Sequence, residues 1–447
     1  MYDVVFIGSG HANWHGAVAL AAAGKKIAIV EKDLTGGTCT NYGCDAKILL
    51  YGPFEFLEGL ERYKGLCVDS SASISWEKLM VYKKEYIKKF PPGMRGLIES
   101  FGITYIEGHR KIIDAHTVAA GDQTLQTEYI VIGTGQRNAR LDIQGQEYLH
   151  GSREFLDIEK MPNHLICIGA GIISMEFASM ALMLGKKVTF IEYAPRALAA
   201  YPERYVSQLV AKMTKQGADF HFGEAVTSVE KTENGYKVVT SSGLCAEGDY
   251  VHDATGRVAN YEDMGLEALG IQASRRGIKV DDHLRTSVPT IYASGDVIDK
   301  PIPKLTPTAE FESNYIAGQI LGNPEPICYP VVPNLVFTLP RIAQVGITVS
   351  EAENNPDSYR VVSIPYGAQN EWVNNRETDI DMTFILDKDN YLVGAAIYGS
   401  EAGTWIDFLT LCINQKTTAR DLKSMIFAFP TQTSMIVNTL IPMLKQD

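Results

Sequence analysis

DVVFIGSGHANWHGAVALAAAGKKIAIVEKD runs from Asp3 to Asp33: an apolar strand, a glycine turn, a helical stretch, and a second strand predicted over Lys26–Val30 that ends at Glu31. Gly8 and Gly10 match the first two glycines of the G-x-G-x-x-G fingerprint, which allow a tight turn and close approach of the backbone to a pyrophosphate. Asn13 holds the third position, where glycine normally lets helix and strand pack closely. Glu31 stands where an acid hydrogen-bonds a ribose hydroxyl. One such match is a weak signal.

A second copy makes it strong. NHLICIGAGIISMEFASMALMLGKKVTFIEYAPR, Asn163 to Arg196, carries Gly169 and Gly171, Ser174 in the third position, and Glu192 at the end of its second strand. The offset from first glycine to terminal acid is 23 residues in both copies. Two dinucleotide sites in one chain suggest FAD and a nicotinamide, because one exchanges a hydride with the other. Glu192 favours NADH over NADPH by repelling the extra phosphate. Arg196, Lys186 and Lys187 leave NADPH possible, although solvated charges around a helix and turn explain them as well.

The remaining composition is compatible with an enzyme of this kind. A chain of 447 residues divides naturally into two or three domains. A net charge of −12 without a Lys/Arg cluster argues against a nucleic-acid surface. MYDVVFIGSG lacks a basic leader and reads as a buried strand. No run reaches the roughly 18 apolar residues of a membrane span. Seven mostly scattered cysteines suit a reducing cytoplasm, the expected location.

At this point the chain resembles the pyridine nucleotide–disulfide oxidoreductases along nearly its whole length. GGTCTNYGC (Gly36–Cys44) is similar to the family's redox-active segment. VIGTGQR (Val131–Arg137), DATGRVAN (Asp253–Asn260) and IYASGDV (Ile291–Val297) are similar to its later FAD-domain signatures. LTPTAEFES (Leu305–Ser313) resembles its flavin-contacting helix, and NLVFTLPRIAQVGIT, from Asn334, the start of its dimerisation domain. The resemblance implies an α/β fold with two Rossmann-like domains and an α+β C-terminal domain. The expected division is an FAD domain over 1–149 and 261–324, an NAD(P)H domain over 150–260, and a homodimer interface over 325–447. It further implies cofactor contacts at Gly8, Gly10, Glu31, Gly37, Thr38, Gly133, Thr134, Gly135, Gly256, Thr308 and Ala309. Asp296 would bind the ribityl chain, and Gly169, Gly171 and Glu192 the nicotinamide cofactor.

Cys39 and Cys44 admit three readings. A zinc site requires four suitably spaced ligands, and no second Cys or His pair lies nearby. A structural disulfide satisfies the geometry only if the chain is irregular, since five residues of regular helix rise about 7.5 Å. Cys39 is therefore expected on an irregular lead-in, with Cys44 at or inside a helix whose N-terminus lowers its pKa. Beside two nucleotide sites, a redox-active pair is the favoured reading. By resemblance, electrons pass from NADH through FAD and Cys44 to Cys39, the interchange thiol. Lys47 takes the family's flavin-side lysine position, three residues after the second cysteine instead of four, and Glu176 takes that of its partner.

The C-terminal FAFPTQTSM departs from the family. Phe429 stands where the family has an acid–base histidine from the partner subunit, and Ser434 where it has the supporting glutamate. An acceptor whose leaving group departs without a proton suits such a site. A small thiol-reactive oxidant such as hypothiocyanous acid is expected. A disulfide reductase or dihydrolipoamide dehydrogenase-like enzyme with a substitute acid, or a flavin-bound redox sensor, are the alternatives. Mercury is disfavoured by the absence of a C-terminal cysteine pair. His11 and His15, one turn apart, suggest local packing or a proton relay. As metal ligands they lack further partners in the sequence, and no metal is expected. Phe427 and Phe429 line a substrate pocket or fill an interface. Cys67, Cys167, Cys245, Cys328 and Cys412 are expected to be isolated and mostly buried.

Overall fold

A computed structural model describes residues 1–69 and 72–447. The Asp3–Asp33 stretch forms the strand Tyr2–Ile7, the helix His11–Ala22 and the strand Ile27–Glu31. That second strand begins one residue later than expected and includes Glu31. The two strands pair in parallel, with Val4 opposite Ile27 and Ile7 opposite Val30. Both are nearly free of solvent from Val4 to Ile7 and from Ile27 to Val30, as a parallel sheet covered on both faces requires.

Around this pair the sheet runs Thr104–Glu107, Ile27–Glu31, Tyr2–Ile7, Gln123–Ile132, Thr117–Ala120, Arg110–Asp114. The far strand Ile291–Ala293 joins it in parallel with Gln123–Ile132. The chain thus leaves this sheet after Ile132 and rejoins it at Ile291. The intervening stretch holds a second parallel sheet, ordered Ala218–Phe222, Lys187–Glu192, His164–Ile168, Tyr250–Asp253. Short antiparallel strands, Gln136–Asn138 with Arg257–Ala259, tie the outgoing and returning segments together.

The C-terminal region is a five-stranded antiparallel sheet from Asn334 to Gly399, with the helices Ala402–Asn414 and Gln432–Leu440 after it. Its core is built around Trp405, Phe384 and Tyr366. A second apolar cluster joins Tyr51 and Phe54 of the helix Cys44–Glu61 to Phe177 of the second nucleotide unit and to Val336 and Tyr398 of the C-terminal sheet. That helix is consequently fixed where the three regions meet. Among the described residues no helix is long and apolar enough to cross a membrane.

Candidate active site

Cys39 does not sit on an irregular lead-in. It lies within a six-residue helix, Gly37–Tyr42, and Cys44 opens the next helix, Cys44–Glu61. The irregularity falls between them, at Gly43, with φ −138° and ψ −115°. A Cβ at Gly43 would meet the Thr38 carbonyl oxygen at 3.0 Å, so a side chain there would crowd the break. It replaces the five-residue helical rise with a corner that turns the two sulfurs toward each other. Both thiols are free in the structure.

The two thiols differ in character. The hydrogen bond with Cys39 holds Cys44 well below the ordinary thiol range against the opposing effect of burial, with help from Thr306 and the Lys47 ammonium. The same hydrogen bond, followed by burial, pushes Cys39 up. The opposite directions favour the thiolate on Cys44 over one on Cys39. Thr306 Oγ1 lies 3.6 Å from Cys44 Sγ. The sequence reading missed Thr306. Its position at the start of the helix Thr306–Ile320, two residues before Thr308, was the available signal.

Lys47 and Glu176 meet although 129 residues separate them: Lys47 Nζ donates to the Glu176 carboxylate at 3.0 Å. Glu176 Oε1 also accepts from the Phe337 amide at 2.9 Å. The Phe337 ring lies under the ammonium, 4.0 Å from Nζ to its centroid. A one-residue-shorter spacing to Lys47 still delivers the charge because positions three and four along a helix share a face.

These groups line one cavity of about 430 Å³. It is bounded by Gly8, Gly10, Glu31, Gly37, Thr38, Cys39, Cys44, Lys47, Gly133, Thr134, Gly135, Glu176, Asp296 and Ala309, all singled out from the sequence. His11, Thr306 and Arg257, which were not assigned there, line it too. Gly169, Gly171, Glu192, Gly256 and Thr308 do not. Thr308 is buried, and its hydroxyl has no protein partner among the described residues.

The first glycine turn has the shape of a dinucleotide cradle. Gly8 has φ +100°, and a Cβ there would meet the Gly133 carbonyl oxygen at 2.6 Å. At Gly37 a Cβ would lie 2.9 Å from Gly10 Cα. Asn13 explains why the third glycine is dispensable. Its Nδ2 donates to the carbonyls of Ile7 and Gly8, each at 2.8 Å, joining helix and strand by hydrogen bonds instead of bare contact. Glu31 Oε2 accepts from the Ser9 amide and hydroxyl at 2.8 Å, which fixes the carboxylate at the cavity wall. These features fit an FAD along Gly8, Gly10, Glu31 and Asp296.

The turn at Gly295, just before Asp296, is held by a network invisible in the sequence. Glu312, without solvent exposure, accepts from the Gly295 amide at 2.6 Å and from the Tyr329 hydroxyl at 2.7 Å, and pairs with Lys300. Arg257 donates to the Gln136 carbonyl at 2.9 Å. Burial draws its guanidinium below its usual range, while Asp296 and Cys44 act in the opposite sense.

In the second unit, Gly171 precedes the helix Ile172–Met183, and the space where its Cβ would stand is open. Glu192 accepts from the amides of Ala170 at 2.5 Å and Ala194 at 2.7 Å. Arg196 is occupied: it donates to the carbonyls of Ala197, Leu198, Ala199 and Tyr201. The arrangement fits a nicotinamide dinucleotide and offers Arg196 no free fork for a further phosphate.

The C-terminal segment separates its two aromatic residues. Phe427 packs on Phe408 at 6.3 Å, within the C-terminal core. Phe429 is 72% exposed, with Trp372 beside it at 6.3 Å. Ser434 is tied into the cap that Thr431 makes on its helix: its hydroxyl donates to the Thr431 carbonyl at 2.7 Å, and its amide to Thr431 Oγ1 at 3.2 Å. Of the five remaining cysteines, only Cys167 and Cys412 are buried, whereas Cys67, Cys245 and Cys328 are exposed. The expectation of mostly buried thiols fails because those three lie on loops or at a strand edge, outside the sheet cores.

Comparison with known proteins agrees with this arrangement. Residues 2–313 match the family model described as pyridine nucleotide-disulphide oxidoreductase, and residues 332–440 its dimerisation domain. A dihydrolipoyl dehydrogenase of Geobacillus stearothermophilus is 29% identical over 440 residues, covering 96% of this chain and 93% of the relative. One from Haloferax volcanii is 30% identical over 454 residues, covering 97% and 94%. In fold, the chain is similar to the HOCl-induced flavoprotein disulfide reductase RclA from Escherichia coli. The TM-score is 0.88 at 24% identity, over 99% of this chain and 100% of that one.

Proposed function

The chain belongs to the pyridine nucleotide–disulphide oxidoreductase family and is an FAD-dependent NAD(P)H oxidoreductase; from that premise we propose that Cys39 and Cys44 are its redox-active pair and that they reduce a small thiol-reactive oxidant such as hypothiocyanous acid. The observation that carries the reading is Phe429, an exposed aromatic ring where relatives of the expected type place a proton donor. Ser434, committed to its helix cap, supplies no substitute.

FAD, when bound along Gly8, Gly10, Glu31 and Asp296, supplies two-electron exchange between a nicotinamide and a dithiol. Lys47, held by Glu176, and Thr306 favour the anionic form of Cys44. Cys39 then attacks the electrophilic sulfur of the oxidant. Hydroxide departs from that sulfur and takes the Cys39 proton, leaving as water. The Cys44 thiolate attacks the Cys39 sulfur, thiocyanate leaves, and the disulfide closes. Thiol, thiolate and hypothiocyanous acid thereby give disulfide, water and thiocyanate, and the cysteine pair loses two electrons. No external acid is required at any step. A disulfide acceptor could take the Cys39 proton in the first step in the same way, but the second step would then expel a thiolate of ordinary basicity where hypothiocyanous acid expels thiocyanate, a slower departure without a donor.

A disulfide of the lipoamide type is the second reading, favoured by dihydrolipoyl dehydrogenases at 29–30% identity. We place NADH as the preferred donor, from Glu192 and the engaged Arg196. We also propose a homodimer through the C-terminal region, where Ile426, Met425 and Phe429 are exposed. The deciding experiment is steady-state turnover of NADH with hypothiocyanous acid, oxidised glutathione and lipoamide, in wild type and Cys39→Ser. Rapid turnover with hypothiocyanous acid, lost in Cys39→Ser, is expected. Equal or faster turnover with a disulfide would transfer the assignment to the second reading.

A further inference from the structure

We propose that His11, His15 and Glu310 form a binding site for one divalent transition-metal ion of zinc-like ligand preference, on the rim of the cysteine cavity. The two histidines lie one turn apart on the helix His11–Ala22. The sequence offers them no further ligand, but the fold does: the helix Thr306–Ile320 packs beside theirs and carries Glu310. One ligand atom from each of the three residues lies within 4.8 Å of the others.

His11 Nδ1 and His15 Nε2 face each other at 3.0 Å. A tetrahedral ion bound at about 2.0–2.1 Å holds two nitrogens roughly 3.3 Å apart, so this pair needs to open by only a few tenths of an ångström. Trp14 stacks on His15 with ring centroids 3.6 Å apart and restricts the ring. Glu310 Oε1 lies 3.6 Å from His15 Nδ1, the ring nitrogen other than the one facing His11, so the carboxylate stands beside the imidazole pair and not between its nitrogens. Its side chain is 47% exposed and is free to swing onto an ion.

The electrostatic setting agrees. Burial lowers both histidines below the ordinary imidazole range, against the pull of Glu310. Asp45 adds a further negative charge near His11. Two imidazoles and a carboxylate suit Zn²⁺, Cu²⁺ or Ni²⁺ better than Mg²⁺ or Ca²⁺.

Because His11 shares the cavity with Cys39 and Cys44, the test must separate imidazole from thiol binding. Equilibrium dialysis of the FAD-loaded protein against zinc chloride, with metal quantified per chain, does so in a Cys39→Ser/Cys44→Ser background. One zinc per chain is expected there, with affinity falling at least about tenfold in His15→Ala and in Glu310→Ala. Retained flavin absorbance serves as the folding control, and Glu310→Ala, on a half-exposed side chain, decides alone if His15→Ala does not fold. Absence of zinc in the cysteine-free background, or equal retention in Glu310→Ala, would overturn the site.

Discussion

Lys47 Nζ lies 3.0 Å from the Glu176 carboxylate, and this contact joins the helix that begins at Cys44 to the helix of the second nucleotide unit. Glu176 is almost fully buried and also bonded to the Phe337 amide, so the ammonium has one position available. A charge fixed in this way acts on Cys44 without being reorganised during turnover.

Lys47→Met is expected to raise the Cys44 pKa, since the lysine is one of the groups holding it down. Glu176→Gln should release the ammonium and lower the rate of cysteine-pair reduction by NADH, by up to about 10²-fold if the helix shifts by 1 Å. The pH dependence of alkylation of the reduced enzyme, with stopped-flow reduction by NADH, measures both. An unchanged alkylation profile in Lys47→Met would disprove the electrostatic role.

Thr306→Val removes the hydroxyl 3.6 Å from Cys44 Sγ. A hydrogen bond to a charged group contributes about 1.5 kcal/mol, which corresponds to a rise of about one pKa unit in Cys44. The sign follows from the thiolate being the bonded form. Alkylation at pH 6–7 should slow by up to about tenfold, with little change well above the ordinary thiol pKa of about 8.5.

In wild type, the same argument sets the acid side of the pH profile. Cys44 is depressed, so its thiolate persists below the ordinary thiol range and is lost only as pH falls through the lowered value. Disulfide closure after the oxidant has reacted, the step in which Cys44 is the nucleophile, should therefore hold nearly level from pH 8 to 7. A steep fall across that interval would show that Cys44 is an ordinary thiol.

Phe429→His with Ser434→Glu installs the missing acid and its support. Glutamate at that position retains a capping-box partner for Thr431. Turnover with disulfide acceptors should rise by about 10²-fold, and that with hypothiocyanous acid should hardly change. An equal gain for both acceptors would contradict a mechanism in which Cys39 supplies the only proton the oxidant needs and thiocyanate leaves without one.

Cofactor choice rests on Glu192 and on an arginine already engaged by four carbonyls. NADH should exceed NADPH in kcat/KM by about tenfold or more, equivalent to about 1.4 kcal/mol of like-charge repulsion. Glu192→Ala should narrow the ratio. Preference for NADPH in wild type would mean that a cation other than Arg196 receives its phosphate.

Much of this molecule was legible in one dimension because strand, glycine turn and helix are local consequences of a short run of residues. Gly8, Gly10 and Glu31, and their counterparts Gly169, Gly171 and Glu192, carry their geometry in their spacing, and so the doubled nucleotide fold could be read directly. The cysteine pair was legible as a pair. Its shape was not, since the break falls at Gly43, whose φ and ψ the spacing of the cysteines does not fix. Asn13 shows a similar limit: a departure from the glycine pattern proved to be a pair of hydrogen bonds.

What the sequence determined by itself was the fold class, the two dinucleotide units and the absence of the usual C-terminal acid. Only the tertiary structure decided which distant groups surround Cys44: Thr306, 262 residues away, and Glu176, which meets Lys47 across 129. It also brought Glu310 beside His11 and His15, and Glu312 beneath Gly295. The physical reason is that a fingerprint is set by local backbone geometry, whereas the charge on a thiol or the ligand set of an ion depends on groups within a few ångströms in space. Folding alone brings those groups together.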